Sequence, residues 1–262
     1  MKCNPDTALE GNIVRLYNEL ATLDDLSPSL MVDRYFSDLV HSALLISKVS
    51  LPVELVSNIQ RLCSRGEFAL EKYWSMRVTA SNNPWEVLRC FPYYKNYEQL
   101  TDLEYQTLTS CDNHKKHRIL FCGGGPLPLT AIILSAKYGE QVTIMDNNPT
   151  AVSLASNLLR VLGLETCITV ILDDATTYES YAEFNTVFMA AMAGSTNLEK
   201  KTVFTNLQKQ IQPDTHILAR SSWAGRTLLY EPVSDDILNL FNLQAEMYPA
   251  APIVNSILVL KK

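Results

Sequence analysis

The residues with the clearest chemical potential in this chain are three consecutive glycines between an apolar segment and a proline. Residues 119–122 are apolar and predict a strand, and the glycines lead from this strand into Pro126. Glycines at the end of a strand let the backbone turn sharply and approach a ligand closely. Proline suits the first turn of a helix, because the N–H that it lacks has no helical partner there. The pattern predicts a ligand-binding loop formed by Gly123, Gly124, Gly125, Pro126 and Leu127.

An acidic residue follows at the distance that such a loop requires. A second apolar segment, residues 141–145, ends in Asp146, 21 residues after Gly125. In Rossmann-type sites, an acidic side chain at the end of the second strand holds a ribose hydroxyl. We therefore expect Asp146 and its neighbour Asn147 to contact the ribose of a nucleotide or of S-adenosylmethionine (SAM).

A third strand-like segment, residues 168–172, ends in two more acids. SAM-binding enzymes commonly place an acid at this position, near the adenine amino group. Of the two candidates, we predict that Asp174, with Ala175 beside it, lies near the adenine. Asp173 then serves as a solvated turn residue or helix cap.

The glycine loop departs from the ordinary methyltransferase pattern at two positions. That pattern, aligned on Gly123 and Gly125, has an acid two residues before the first glycine and a further glycine two residues after the second. Here these positions are Phe121 and Leu127. Because the acid normally helps to hold the amino-acid end of SAM, we expect that end to be held differently. The departure indicates that the methyl group is not what is transferred.

Several polar residues elsewhere fit either chemistry or packing. Glu71 lies at the margin of the apolar stripe of its helix, where a glutamate is usually a solvated surface residue. Tyr94 and Tyr97 belong to an aromatic cluster that by itself indicates packing. Arg220 ends an apolar strand at the ligand edge, where it would serve catalysis or bind a substrate carboxylate. Two later residues could flank the same cavity, Arg226 and Tyr230.

The periodicity of apolar residues changes near residue 115. Up to about residue 110 they recur at helical spacing. After residue 117 strands and helices alternate, which predicts a mostly parallel sheet. We predict an α/β fold, with an N-terminal helical domain at 1–115 and a SAM-binding Rossmann-type domain at 116–262. The predicted strands are 118–122, 141–145, 168–172, 186–190, 215–220, 243–248 and 254–260, and the predicted helices of this part are 126–138, 149–162, 196–211 and 233–241.

Charge and composition point to a small-molecule substrate. The net charge of −6 argues against nucleic acid, because phosphate neutralisation needs clustered Lys and Arg. The basic residues 114–118 fit a solvated linker, and His114 and His117 lack a third ligand, so we expect both to be exposed and no metal to be bound. No apolar run reaches the ~18 residues of a membrane span, and we recognise no signal peptide. The six cysteines show no C-x-x-C spacing, which predicts reduced thiols and a cytoplasmic location.

Several segments together resemble nicotianamine synthases and the related bacterial aminobutanoyl transferases that build opine-type metallophores. The matching segments cover nearly the whole chain, and the most specific are Gly-Pro-Leu-Pro-Leu-Thr and Phe-Pro-Tyr-Tyr-Lys-Asn-Tyr. They lie at residues 23–33, 83–89, 91–97, 124–130, 230–233 and 255–256. The resemblance implies a helical domain that closes over a SAM-binding Rossmann domain. It also implies transfer of the 3-amino-3-carboxypropyl (aminobutyrate) arm of SAM to an α-amino group, with release of 5′-methylthioadenosine (MTA).

The same resemblance implies roles for individual residues. The catalytic Glu and Tyr proposed for the family fall on Glu71 and Tyr97, 14 residues before Trp85 and 12 after it. An acceptor amine must be neutral to attack, so a nearby carboxylate can take its proton. Glu71 fits that role if it is enclosed between domains, and the Tyr97 hydroxyl would orient the amine or Glu71. Substrate carboxylates would be held by Arg220, Arg226 and Tyr230, and we also expect Tyr94 to contact the substrate.

The sequence leaves the acceptor open. Successive transfers between SAM-derived units would give nicotianamine, whereas one transfer to an amino acid such as histidine would give an opine-metallophore precursor. A SAM-dependent methyltransferase is a weaker alternative, disfavoured by Phe121 and Leu127. A SAM-binding protein without catalysis is the alternative outside the enzymes, and the presence of Glu71 and Tyr97 argues against it.

Overall fold

The computed structural model describes residues 5–112 and 117–262 of the chain. Its first half is helical, as the periodicity predicts. The Ser29 side chain accepts a hydrogen bond from the backbone N–H of Val32 and so caps the second helix. The helices are α1 (Pro5–Ala21), α2 (Leu30–Leu45), α3 (Val53–Thr79), α4 (Pro84–Arg89) and α5 (Tyr94–Cys111). Within the described ranges, no helix combines the length and apolar character needed to cross a membrane.

The second half forms a seven-stranded sheet in the order β3-β2-β1-β4-β5-β7-β6. Strands β1 to β5 pair in parallel, and only β7 runs antiparallel to its neighbours β5 and β6. This is the predicted α/β fold class with a mostly parallel sheet. The strands are β1 (Arg118–Cys122), β2 (Gln141–Asp146), β3 (Ile168–Leu172), β4 (Thr186–Met189), β5 (His216–Ser221), β6 (Asn242–Met247) and β7 (Ser256–Lys261).

The strand order places a ligand site where the sheet changes direction. The chain moves outward from β1 to β3 on one side and returns to β4 on the other side of β1. Open α/β sheets bind ligands outside the carboxyl ends of their strands at such a switch point. The glycine loop after β1, Asp146 at the end of β2 and the acids after β3 all lie at this edge of the sheet.

Two predicted helices are shorter in the structure. The helix predicted from Pro126 begins only at Leu129, as α6 (Leu129–Tyr138). Pro128 disfavours helical backbone at the residue before it, and Pro128 itself has a non-helical ψ of 61°. The helix predicted at 233–241 is a single turn, α9 (Asp235–Leu238), because beyond it the backbone N–H groups of Leu240 and Phe241 bond to carbonyls three residues back and not four. The other two predicted helices agree closely with α7 (Pro149–Leu162) and α8 (Asn197–Gln210).

The predicted solvated linker before β1 is described only in part. His114, Lys115 and Lys116 lie outside the described residues. His117 was predicted to be exposed, and this prediction is wrong, because its side chain is buried and its Nδ1 lies 3.1 Å from the Thr186 hydroxyl. The neighbouring apolar strands β1 and β4 hold it in the interior. The described cysteines are free thiols, and Cys3 lies outside the described part.

The N-terminal helices pack directly on the sheet domain. Helix α3 contacts α7, and α5 contacts α6. Trp85 of α4 donates a hydrogen bond from its indole N–H to the carbonyl of Leu162, at 3.2 Å. The long helices α3 and α5 therefore bring their side chains to the ligand edge. The division into domains at residues 115 and 116 stays a prediction.

Candidate active site

The glycine loop makes a cradle that side chains would fill. Gly123 and Gly125 have φ angles of +82° and +66°, which only glycine adopts readily. A Cβ on Gly124 would collide with the side chain of Ile144, and one on Gly125 would collide with the Glu71 carboxylate. The loop therefore needs glycine both for its backbone conformation and for space. It brings the backbone up to the cavity wall that α3 supplies.

Asp146 is held in place by the backbone around it. Its carboxylate accepts one hydrogen bond from the N–H of Gly125 and one from the N–H of Asn148, each 2.9 Å long. A carboxylate has further lone pairs for ligand hydroxyls. Asp146 and its neighbour Asn147 line the cavity, so the structure brings the predicted ribose contacts to the glycine loop.

The acids after β3 also line the cavity. Asp174 accepts hydrogen bonds from the backbone N–H and the hydroxyl of Thr176, at 2.8 and 2.7 Å. These bonds lower the pKa of Asp174, and the bond from the backbone N–H has the larger effect. Ala175 lies beside it, and its carbonyl accepts a bond from the Tyr181 hydroxyl. The predicted adenine contact at Asp174 stays a prediction, since Asp173 lines the same cavity.

Replacing Asp146 by alanine is expected to weaken SAM or MTA binding by about 1–3 kcal/mol, as expected for loss of a hydrogen bond to a charged group. Isothermal titration with MTA measures this difference. Asp214→Ala is the matched control, because Asp214 is 83% exposed and pairs with Lys261. Equal affinity in both variants would contradict a ribose contact for Asp146.

Glu71 and Tyr97 meet inside the cavity, although they come from different helices. The Tyr97 hydroxyl lies 3.4 Å from Oε1 of Glu71. Glu71 is half-buried, and burial is the main reason why its pKa is raised well above the usual value. The charges of Glu67 and Asp146 raise this pKa further, while hydrogen bonds from Tyr97 and the backbone N–H of Leu127 lower it. Glu71 is thus an enclosed carboxylate with raised proton affinity, beside the glycine loop.

A second glutamate, which the sequence analysis missed, belongs to the same cluster. Glu67 lies one helical turn before Glu71 on α3. The Tyr97 hydroxyl lies 3.3 Å from its Oε1, and the Tyr230 hydroxyl lies 3.1 Å from its Oε2. The i, i+4 spacing of Glu67 and Glu71 is the signal in the sequence that could have found it, because such residues share a helix face.

Arg220 lines the cavity, but most of its hydrogen-bonding capacity is already used. Its Nε and Nη2 donate to the two carboxylate oxygens of Glu104, at 2.6 and 2.9 Å, and Nη2 also donates to the Thr130 hydroxyl. Its guanidinium lies over the rings of Tyr97 and Phe121. Phe121, which stands where methyltransferases have an acid, therefore packs against a cation. Arg220 is part of the wall, and a substrate carboxylate would compete with Glu104 for it.

Two predicted substrate contacts are not brought to this site. Among the described residues, neither Tyr94 nor Arg226 lines the cavity. Tyr94 is half-buried against the core of the sheet domain, and its neighbour Tyr93 faces the cavity instead. The Arg226 guanidinium stacks on Trp223 at 3.9 Å. Tyr230, by contrast, lines the cavity, and its hydroxyl donates a hydrogen bond to Glu67.

The cavity itself is large. Its volume is about 1380 Å³, whereas pockets for single drug-sized ligands span roughly 300–1,000 Å³. Helix α2 contributes Val32, Phe36 and Val40 to the wall of the cavity. The tip of the Phe36 ring lies against Gly66, where a Cβ would collide with it. The site therefore has room for SAM together with an acceptor.

Comparison with known proteins places this geometry in a family. A family model described as nicotianamine synthase protein matches residues 3–262. The chain belongs to the nicotianamine synthase family. It is 29% identical to a nicotianamine synthase of Solanum lycopersicum, over 100% of this chain and 86% of the relative. It is 33% identical to nicotianamine synthase 3 of Arabidopsis thaliana, over 98% of this chain and 84% of the relative.

Solved structures agree with this family. The crystal structure of MtNAS in complex with MTA and tNA has a TM-score of 0.84 and 27% identity, and the match covers 98% of this chain and 97% of that one. A mutant of MtNAS in complex with S-adenosylmethionine has a TM-score of 0.81. The predicted family and fold class are confirmed, as is the predicted enzyme, a transferase with SAM as its substrate. Transfer of the aminobutyrate arm of SAM to make nicotianamine is the activity of this nicotianamine synthase family.

Proposed function

We propose that this member of the nicotianamine synthase family makes nicotianamine from SAM alone, by successive aminobutyrate transfers and a final ring closure. In the ring closure, an amine attacks the carbon next to sulfur in its own unit, which forms the azetidine ring and releases the last MTA. The observation that carries the proposal is the enclosed Glu71 carboxylate, which lies against Gly125 of the SAM loop and within 3.4 Å of the Tyr97 hydroxyl. The size of the cavity supports more than one bound unit. We also propose that residues 1–115 form a domain that closes over the SAM-binding residues 116–262.

In each transfer, Glu71 takes a proton from the acceptor ammonium. The neutral amine then attacks the aminobutyrate carbon next to sulfur, and a C–N bond forms as the C–S bond breaks. The electron pair of that bond stays on sulfur, so the sulfonium becomes the neutral thioether of MTA. A sulfonium has three electrophilic carbons, and positioning decides which one reacts. The Tyr97 hydroxyl, between the two glutamates, orients Glu71 for the amine.

The polar residues of the wall serve binding in this proposal. Asp146 and Asn147 hold the ribose, and Asp174 with Ala175 holds the adenine. The hydroxyl of Tyr230 donates to Glu67, and in this proposal the two residues lie on the side of the cavity that binds the acceptor. Arg220 supplies the positive charge nearest to the substrate carboxylates, although it shares that charge with Glu104.

The experiment that tests this function is a product analysis. The enzyme is incubated with SAM alone and with SAM plus each amino acid, and the products are weighed by mass spectrometry. We expect MTA and a nicotianamine-mass product from SAM alone. Chromatography separates MTA from S-adenosylhomocysteine in the same sample.

Each other outcome identifies a different activity. Product that forms only when an amino acid such as histidine is added would mean a single transfer to that acceptor. S-adenosylhomocysteine as the main nucleoside would mean methyl transfer. Absence of any nucleoside product, with SAM still bound, would mean a binding protein without catalysis.

A further inference from the structure

The two glutamates of α3 form a pair that shares one hydroxyl. Glu67 and Glu71 lie one turn apart, and both line the cavity. The Tyr97 hydroxyl lies 3.3 Å from Glu67 and 3.4 Å from Glu71. It carries a single proton, so it donates to only one carboxylate at a time. The other carboxylate then lacks that donor.

The pKa of Glu67 is raised by burial, and the groups around Glu67 offset part of this rise. The Tyr230 hydroxyl donates to its Oε2 at 3.1 Å. Burial raises the pKa of Glu67, whereas the bonds from Tyr230 and Tyr97 and the positive charge of Arg220 lower it. Two neutral groups face Glu67, and the pKa of each is raised by burial and by the Glu67 charge: the Cys63 thiol and the Tyr93 hydroxyl.

The groups around Glu71 favour its protonated form. Burial, the charge of Glu67 and the charge of Asp146 all raise its pKa. The Tyr97 hydroxyl and the backbone N–H of Leu127 offset this only in part. The pair is therefore asymmetric: the pKa of Glu71 is raised well above its usual value, whereas that of Glu67 is raised less.

We propose that Glu67 is a positioning residue for the transfer: its carboxylate, fixed by Tyr230 and linked to Glu71 through Tyr97, strengthens Glu71 as a base. This inference rests on the proposed function. An α-amino group has a pKa near 8, whereas an unperturbed glutamate has one of about 4.3, so an ordinary carboxylate is a weak base toward it. A like charge nearby raises the pKa of a glutamate and so reduces the difference between the pKa of the base and that of the α-amino group. A base matched more closely to its proton donor works faster.

Glu67→Gln tests the proposal, because the amide keeps the size of the side chain and removes its charge. Loss of the like charge lowers the pKa of Glu71, so Glu71 stays ionised to lower pH. We expect the acid limb of kcat/KM to move to lower pH by about one unit. Because Glu71 is then a weaker base, plateau kcat should fall roughly tenfold. MTA affinity, measured by titration, should stay unchanged.

Tyr230→Phe is the second variant and leaves both glutamates in place. Without its hydroxyl, the pKa of Glu67 rises and Glu67 is protonated over a wider range of pH. The acid limb should move in the same direction as in Glu67→Gln, by a smaller amount. Glu54→Gln, at an exposed position of α3, is the control and should keep the wild-type profile.

An acid limb that stays at the wild-type pH in Glu67→Gln would overturn the proposal, even if kcat fell. If Glu67→Gln does not fold, the same result in Tyr230→Phe has the same meaning. Failure of the proposed function is seen separately, because the wild-type enzyme would then release no MTA from SAM.

Discussion

Glu71→Gln is expected to fold and to bind SAM, yet to lose at least roughly 100-fold of its turnover, the usual contribution of a general base. The amide cannot accept the proton of the acceptor amine, whereas the space that it fills against Gly125 is the same. The amide oxygen can still accept a hydrogen bond from the Tyr97 hydroxyl, so the variant changes the proton acceptor and little else. The rate of MTA release from SAM measures the loss, and it should be in kcat.

Two controls separate this effect from damage to the site. Circular dichroism and MTA titration should give wild-type values for Glu71→Gln, because the proposed ribose and adenine contacts are made by other residues, Asp146 and Asp174. Glu54→Gln makes the same chemical change at an exposed position of the same helix and should leave kcat unaltered. Turnover of Glu71→Gln within a few fold of that control would show that another group takes the proton.

The parts of the site that depend on local backbone geometry could be predicted from the sequence. Gly123 to Gly125 and Asp146 lie at the end of strands, and their spacing alone places them at one edge of a parallel sheet. The alternation of strands and helices then predicts that the sheet is mostly parallel. These predictions do not depend on how the helices pack against the sheet.

The enclosure of Glu71 could not be derived from its own helix. At the margin of an apolar stripe, a glutamate is as compatible with solvent as with a cavity. Its burial comes from α5 and the glycine loop, which are distant in sequence. The family resemblance, and not the periodicity, predicted its role.

The partners of the two arginines also could not be predicted from the sequence. From the end of an apolar strand, the sequence predicts that Arg220 faces a ligand, and it does line the cavity. The sequence does not predict that Glu104, on helix α5, takes two of its hydrogen bonds. Arg226 lies near in sequence, but its guanidinium stacks on Trp223. Tertiary partners, which local patterns do not encode, decide whether an arginine is available to a substrate.

Glu104→Gln is expected to destabilise the fold by about 3–5 kcal/mol, because it leaves the Arg220 charge buried without its partner. The Glu104 side chain is fully buried and that of Arg220 is 7% exposed, and their closest N–O distance is 2.6 Å. Urea unfolding followed by circular dichroism measures the change in the free energy of unfolding. The exposed pair of Lys201 and Asp236 gives the control, since Asp236→Asn should cost less than about 1 kcal/mol.

The double variant Glu104→Gln with Arg220→Met separates the pair from its individual charges. Removing both charges takes away the desolvation cost along with the attraction, so much of the lost stability should return. A Glu104→Gln variant as stable as Asp236→Asn would show that cavity water solvates Arg220 without Glu104. The double variant also lacks the cation over Tyr97 that favours ionised Glu67. If stability is restored but kcat is lower, the charge of Arg220 contributes to turnover. The stability of the fold then depends on whether that charge is paired with Glu104.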